Sequence, residues 1–347
     1  MRSSDAGSPA PAPRRPVTVL AMGAAMPPRL FTPAALERLR ALADIDTDVV
    51  LTELSTPDSR ARLAAAEVLL SGWGAPRVDA AVLDGAPRLR AIVYAAGSVK
   101  GHLAPAVWER GIAVSSAAAA NAEPVAEYTL AMILLAAKGV GRMARAYRER
   151  RAAVDLRAEF PEVGTYGCTV GLVGASRVGR RVLELLAPFD LRVLLADPFL
   201  EAAQAAALGA ELRELDALLA ESDVVSLHAP SLPATRRMLD RRRLALMRDG
   251  ATLINTARGA IVDQDALVDE LVAGRLEAVL DVTEPEVLPP GSPLYALPNV
   301  VLTPHVAGAQ GNEVRRLGEA ALDELARYAA GEPFAHAVRA EDLAVVA

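Results

Sequence analysis

Thr169-Val-Gly-Leu-Val-Gly-Ala-Ser-Arg-Val-Gly-Arg180 runs from an apolar, β-prone stretch straight into a helical one, and its reading decides the fold. A strand that turns on Gly174 and enters a helix near Arg177 leaves backbone N–H groups free at the helix start, where the helix dipole also attracts an anion. Gly174 permits the tight turn and Gly179 the close packing of helix on strand, the arrangement that holds a dinucleotide pyrophosphate. The middle glycine of the usual G-x-G-x-x-G is Ser176 here, a small residue whose hydroxyl can add a hydrogen bond to phosphate. Arg177 and Val178 complete the candidate cofactor turn. Taken alone, the motif reads equally as an ordinary strand-to-helix turn.

A second strand-like run, Leu191–Ala196, ends at Asp197, 23 residues beyond Gly174. That is close to the offset of roughly 20 residues at which an acid accepts hydrogen bonds from the adenosine ribose. An acid there repels a 2′-phosphate, so the pair favours NAD over NADP. Further strands are predicted at Asp223–Leu227, Ala251–Asn255, Glu277–Leu280 and Val300–Leu302, alternating with helical stretches. Before them, Val17–Ala21, Val49–Leu51, Ala91–Tyr94 and Ile112–Val114 are strand candidates in a less regular segment. Strand-helix alternation of this kind predicts an α/β protein with doubly wound parallel sheets. Asn121 as N-cap and Pro124 in the first turn predict one long helix to about Arg148, and a last helix is expected from Asn312 to Ala330.

At 347 residues, two domains are the natural expectation, and 52% hydrophobic with 23% charged residues suits a folded globular chain. Residues 1–16, rich in Ser, Pro, Ala and Arg, are expected to form a loose tail. The net charge of −6 offers no basic face for nucleic acid. The apolar run 130–137 is too short to cross a bilayer, and no apolar leader stretch opens the sequence, so a cytoplasmic protein is expected. A single cysteine, Cys168, excludes an internal disulfide, and no metal-ligand spacing occurs.

Three ionisable residues fall just past the carboxyl ends of later strands, where open α/β sheets bind ligands: Arg258, Glu286 and His305. Their local strings are Ile254-Asn-Thr-Ala-Arg-Gly-Ala-Ile-Val-Asp263, Leu280-Asp-Val-Thr-Glu-Pro-Glu286 and Leu302-Thr-Pro-His-Val-Ala-Gly308. With Leu227-His-Ala-Pro230 and Met247-Arg-Asp-Gly-Ala251, these strings resemble the D-isomer-specific 2-hydroxyacid dehydrogenase family over about Leu89 to His305. The resemblance implies two Rossmann-like lobes, with a cofactor domain over residues 121–307 inserted in a substrate domain of residues 17–120 plus 308–340. It also implies a homodimer, through the long helix and the segment from Arg148 to Tyr166.

Hydride exchange at C2 of a hydroxy acid needs a base for the hydroxyl proton, and histidine titrates nearest the working pH, which suits His305. A carboxylate beside that imidazole orients it and favours its charged form; the resemblance gives this role to Glu286, with Glu284 as the alternative. Arg258 offers a rigid fork of donors for the substrate carboxylate and carbonyl. The resemblance places Asp281 near the nicotinamide, and His228, Thr256 and Ala257 are further cofactor-contact candidates. The segment Gly274-Arg-Leu-Glu-Ala-Val-Leu-Asp281 is one residue shorter than the commonest family pattern, whereas Asp281 to Glu286 keeps its spacing.

On the substrate side, Gly97, Ser98 and Val99 match the family loop whose backbone amides take the substrate carboxylate. Lys100, one of only two lysines in a chain with 37 Lys plus Arg, is a candidate ammonium for the substrate or else a solvated loop residue. Trp73, in Ser71-Gly-Trp-Gly74, is either a lid over the substrate or part of a packed turn. The expected activity is NAD-dependent interconversion of a small D-2-hydroxy acid and its 2-keto acid. The alternatives are a dinucleotide-sensing binding protein like the corepressors built on this fold, and phosphite oxidation on the same scaffold. Glu286 stands where the formate-oxidising branch carries Gln, which disfavours that branch.

Overall fold

A computed structural model describes residues 14–344 of the chain. These residues form two compact units, one of residues up to Ala120 together with Gly311–Leu343, the other Asn121–Gln310. The tail expected over residues 1–16 lies outside the described residues as far as Pro13. Arg15 departs from that expectation, since its guanidinium donates to the carbonyls of Arg40 at 2.6 Å and Ala43 at 2.8 Å.

The first unit holds a parallel sheet of β1 (Thr18–Ala21), β2 (Val50–Leu51), β3 (Val68–Ser71), β4 (Ala91–Tyr94) and β5 (Ala113–Ser116), in the order β2-β1-β3-β4-β5. The helix Val314–Ala329 packs on β4 and β5, so the chain's last helix completes the unit that its first strands begin. On another face of the same helix, Gly318 lets the chain at Leu30 approach closely: a β-carbon there would collide with the carbonyl of Leu30.

The second unit holds a parallel sheet of β6 (Thr169–Val173), β7 (Arg192–Ala196), β8 (Glu211–Leu212), β9 (Val224–Leu227), β10 (Thr252–Asn255), β11 (Glu277–Leu280) and β12 (Val300–Leu302). Its order is β12-β11-β10-β9-β6-β7-β8. Along the central strands, successive residues enter opposite cores. Val225, Leu253 and Leu280 join one cluster, while Val224, Ile254 and Val279 join the other. A strand covered on both faces reads as a continuous apolar run, which is why these runs are visible in the sequence. The chain direction across the sheet reverses between β6 and β9, the switch point at which such sheets bind ligands.

Two strands lie outside the sequence-predicted runs. The Val-Leu-Leu of β3 follows the helix Pro57–Ala65 in an Ala- and Leu-rich stretch with no helix-breaking residue between, and two-residue β8 exists only through its pairing with β7. The long helix also differs from expectation. It starts at Ala118, because Ala118–Ala120 are strong helix formers. Asn121 is therefore no cap and Pro124 sits inside the helix; the Asn121 side chain instead accepts from Ala309 N at 3.0 Å. The helix ends at Ala137, and a second one, Val140–Arg150, leaves at 54°. Gly139, at φ +62°, makes the break, and a β-carbon there would meet Val163 Cγ1 at 2.6 Å. Among the described residues no single helix is long and apolar enough to cross a membrane.

Candidate functional site

The phosphate-type turn is built as a contact between the two switch-point loops. Gly174 holds φ +98°, and a β-carbon on it would stand 2.8 Å from Ala229 N, just past β9. One on Gly179 would run into the Gly174 carbonyl. Both positions are thus closed to any side chain, which leaves bare backbone where a pyrophosphate would lie. Ser176 is the N-cap of the helix Arg177–Leu186, accepting from Gly179 N at 3.3 Å. Its oxygen is committed to the helix and only its proton remains for a phosphate. The N–H groups of Arg177 and Val178, in the first turn, have no intrahelical partner by geometry.

Asp197 accepts from Ala175 N at 2.7 Å with one oxygen and from Phe199 N at 2.9 Å with the other. It clamps the turn after β6 to the turn after β7 while each oxygen keeps a further lone pair for a ribose hydroxyl. His228, 4% exposed, faces Ser226 Oγ at 3.0 Å, and burial holds its imidazole down at about 3, so it is neutral near pH 7. These bare-backbone, acid and neutral-imidazole features fit a dinucleotide.

The ends of β10, β11 and β12 are adjacent, and backbone hydrogen bonds lock their loops. Asp281 N donates to the Asn255 carbonyl at 3.0 Å and His305 N to the Asp281 carbonyl at 2.9 Å. Asn255, 1% exposed, ties the Arg258 loop by donating to the Arg258 carbonyl and accepting from Ala257 N. Arg258 itself is half-buried and donates to the Ala257 carbonyl at 2.6 Å. Gly259 presses on Thr283 and Glu284 so closely that a β-carbon would overlap Thr283. The Arg258 loop is thereby seated against the loop that carries the two acids. Thr256 is buried and shares a contact of 3.2 Å with the Thr129 hydroxyl, and Ala257 is half-buried.

Glu286 Oε1 is hydrogen-bonded to His305 Nδ1, and both side chains are exposed. Glu284 turns away to Arg236 at 2.9 Å. The geometry therefore separates the two acids that the sequence left as alternatives. His305 sits at φ +56°, a left-handed backbone that a non-glycine residue adopts only when its surroundings impose it. Asp281 imposes it. Only 1% exposed, its carboxylate accepts from Thr303 Oγ1 at 2.6 Å, Val306 N at 2.7 Å and Ala307 N at 2.9 Å, residues on both sides of His305. Asp281 is thus an internal anchor of the His305 loop. The segment before it is closed by Arg275, which donates to the carbonyls of Met247 and Leu244, each at 2.6 Å, and to Glu270.

In the first unit, Gly97 and Ser98 are half-buried, Val99 is buried and Lys100 is exposed, in the turn after β4. Trp73 is half-buried and packs against that unit's core. His102 is a core residue: its Nε2 meets Ser71 Oγ at 2.9 Å, its ring stacks on Tyr94 at 4.8 Å, and burial lowers it to about 4. His336 is exposed. Cys168 is buried, its thiol pushed up to about 12 chiefly by desolvation, which makes it unreactive. Asn255, Thr303 and Tyr128 are not among the residues that sequence reasoning singles out. A strand-end Asn before Thr-Ala-Arg is a signal for the first; nothing local marks the other two.

Residues 130–307 match the family model described as D-isomer specific 2-hydroxyacid dehydrogenase, NAD binding domain. The chain is 35% identical over 297 residues to D-3-phosphoglycerate dehydrogenase of Mycobacterium leprae (strain TN), covering 84% of this chain and 55% of that one. It thus spans about half the length of the D-3-phosphoglycerate dehydrogenases it matches. It is 36% identical over 261 residues to glyoxylate reductase of Korarchaeum cryptofilum (strain OPF8), covering 74% of this chain and 77% of that one. A solved structure, the TT0316 protein from Thermus thermophilus, is similar with a TM-score of 0.72 at 35% identity, over 92% of this chain and 99% of that one.

Proposed function

The chain belongs to the D-isomer specific 2-hydroxyacid dehydrogenase family, and from that premise we propose that it is an NAD-dependent oxidoreductase interconverting a small D-2-hydroxy acid and its 2-keto acid. The observation that carries the reading is the Glu286–His305 pair, on a loop whose strained backbone is imposed by buried Asp281. Strain retained at one histidine, paired with one acid, is the kind that functional sites keep.

NAD, when bound, supplies the hydride acceptor. Gly174, Gly179, the first-turn amides of Arg177 and Val178, and Asp197 would hold it, with Thr256, Ala257 and His228 lining its path. His305 Nε2 takes the hydroxyl proton of the substrate during oxidation and returns it to the carbonyl oxygen in reduction. Glu286 holds the imidazole by Nδ1, which leaves Nε2 for the substrate, and offsets the charge that forms on the ring. Arg258 leaves the Ala257 carbonyl to take the substrate carboxylate and to polarise the carbonyl as charge grows on its oxygen. In the first unit, the amides of Gly97, Ser98 and Val99 and the ammonium of Lys100 are the candidates for binding a carboxylate.

A homodimer is part of this reading. The helices Ala118–Ala137 and Val140–Arg150 and the following segment expose the apolar side chains Leu135, Val140, Tyr147 and Leu156, which a second subunit would cover. So is a cytoplasmic setting, in which a single buried thiol is stable.

The test is NADH oxidation over glyoxylate, hydroxypyruvate, pyruvate, phenylpyruvate and 2-ketoisocaproate, with NADH binding measured in parallel. Turnover of at least one acid is expected. Tight NADH binding without turnover of any would favour a dinucleotide sensor, and NADH formation from phosphite would favour that alternative chemistry.

A further inference from the structure

Tyr128, on the helix Ala118–Ala137, has no part in the steps above, yet its hydroxyl lies 3.0 Å from Thr303 Oγ1. The Thr303 hydroxyl donates to Asp281 Oδ1 at 2.6 Å. A threonine hydroxyl carries one proton. Since that proton goes to Asp281, the proton in the Tyr128–Thr303 bond comes from Tyr128. The chain of donation therefore runs Tyr128 to Thr303 to Asp281, and Asp281 in turn receives Val306 N and Ala307 N from the loop that presents His305.

We propose that Tyr128 is a positioning residue for the acid-base histidine: its donated proton strengthens the Thr303–Asp281 bond and so fixes the register of the Thr303–Ala307 loop. The inference rests on the function proposed above and deepens it. Hydrogen bonds in series polarise one another, so a donor two links away still affects how firmly Asp281 is held. Tyr128 is half-buried, and its phenol is raised above 10 by burial first and by the charge of Asp281 as well, with the Thr303 bond opposing; it stays a donor throughout the working pH range. Phenylalanine would fill the same space and lack only the proton. That makes the idea separable from packing.

The experiment compares the full-length wild type with Tyr128→Phe, Thr303→Val and the double variant. It measures kcat and KM for whichever keto acid is turned over, NADH affinity, melting temperature, and the ring-nitrogen NMR signals of His305. For Tyr128→Phe, kcat is expected to fall roughly 3- to 10-fold, with NADH affinity within about twofold and the melting temperature little changed. The His305 signals are expected to shift, and the double variant to be no worse than Thr303→Val, because both substitutions cut one chain. Unchanged kcat and unchanged His305 signals would overturn the proposal. So would full additivity, or a loss of stability and NADH affinity as large as the loss of kcat. If the wild type turns over no keto acid, the function reading fails; the His305 signals then still decide whether Tyr128 positions the ring.

Discussion

Glu286 Oε1 is bound to His305 Nδ1, so that Nε2 is the imidazole nitrogen this bond leaves for proton exchange. Two residues earlier, Glu284 spends its carboxylate on Arg236. The two acids of Thr-Glu-Pro-Glu therefore predict opposite outcomes. Glu286→Gln should lower kcat by about 100-fold, within the range that acid-base pairs contribute. Glu284→Gln removes an exposed ion pair worth at most about 1 kcal/mol and should change kcat less than about threefold. Steady-state kinetics of the two variants check this, and equal losses would put the pairing in doubt.

Asp197 predicts a cofactor effect without a chemical one. Replacing it by Ala frees the amides of Ala175 and Phe199, so the turn loses its clamp as well as its ribose acceptor. NADH affinity should fall by about 10-fold or more, and NADPH should lose less, since a repelling charge is gone. Fluorescence titration with both nucleotides reads this. An equal loss for both would mean that Asp197 serves the turn alone.

The glycines separate into those with room for a side chain and those without. Gly179→Ala puts a methyl into the Gly174 carbonyl and should cost about 2 kcal/mol of stability while weakening NADH binding. Gly209→Ala, at φ +78° in open space, should cost about 1 kcal/mol through backbone strain alone and leave NADH binding unchanged. Thermal denaturation with and without NADH distinguishes the two.

His102 and His228 give the protein an acid-sensitive stability. Burial lowers them to about 4 and about 3, from an ordinary 6.5. Below pH 6.5 the unfolded chain binds protons that the folded chain refuses. Each histidine thus removes stability as the pH falls from 6.5 toward its folded value, by up to about 1.4 kcal/mol per pH unit, and no further below that value. Denaturant titrations from pH 7 to pH 4 should show this decline. His102→Gln should flatten its slope by about one proton, and an unchanged slope would show that His102 takes up a proton in the folded state.

Much of this is legible in the sequence because the central strands of the second sheet are covered on both faces. Ala251–Asn255 and Glu277–Leu280 read directly as strands, and the loops at the strand ends yield Arg258, Glu286 and His305 by chemistry and spacing. The same strings carry the resemblance to the D-isomer-specific 2-hydroxyacid dehydrogenase family. What stays hidden depends on contacts made through space. Val68–Ser71 is a strand only because β1 and β4 flank it. The break at Gly139 follows from the approach of Val163. Tyr128 reaches Thr303 across 175 positions of chain, and no local pattern records such a bond. Trp73, open between lid and packed turn in the sequence, packs on its own unit's core.

The most direct test of the proposed chemistry is single-turnover NADH oxidation by His305→Ala, with the keto acid that the wild type reduces fastest. The proposal predicts that NADH affinity stays within a few-fold of wild type while the hydride-transfer rate drops by about 100-fold or more, the contribution of a general acid. A variant that binds NADH and reduces the keto acid at the wild-type rate would contradict it.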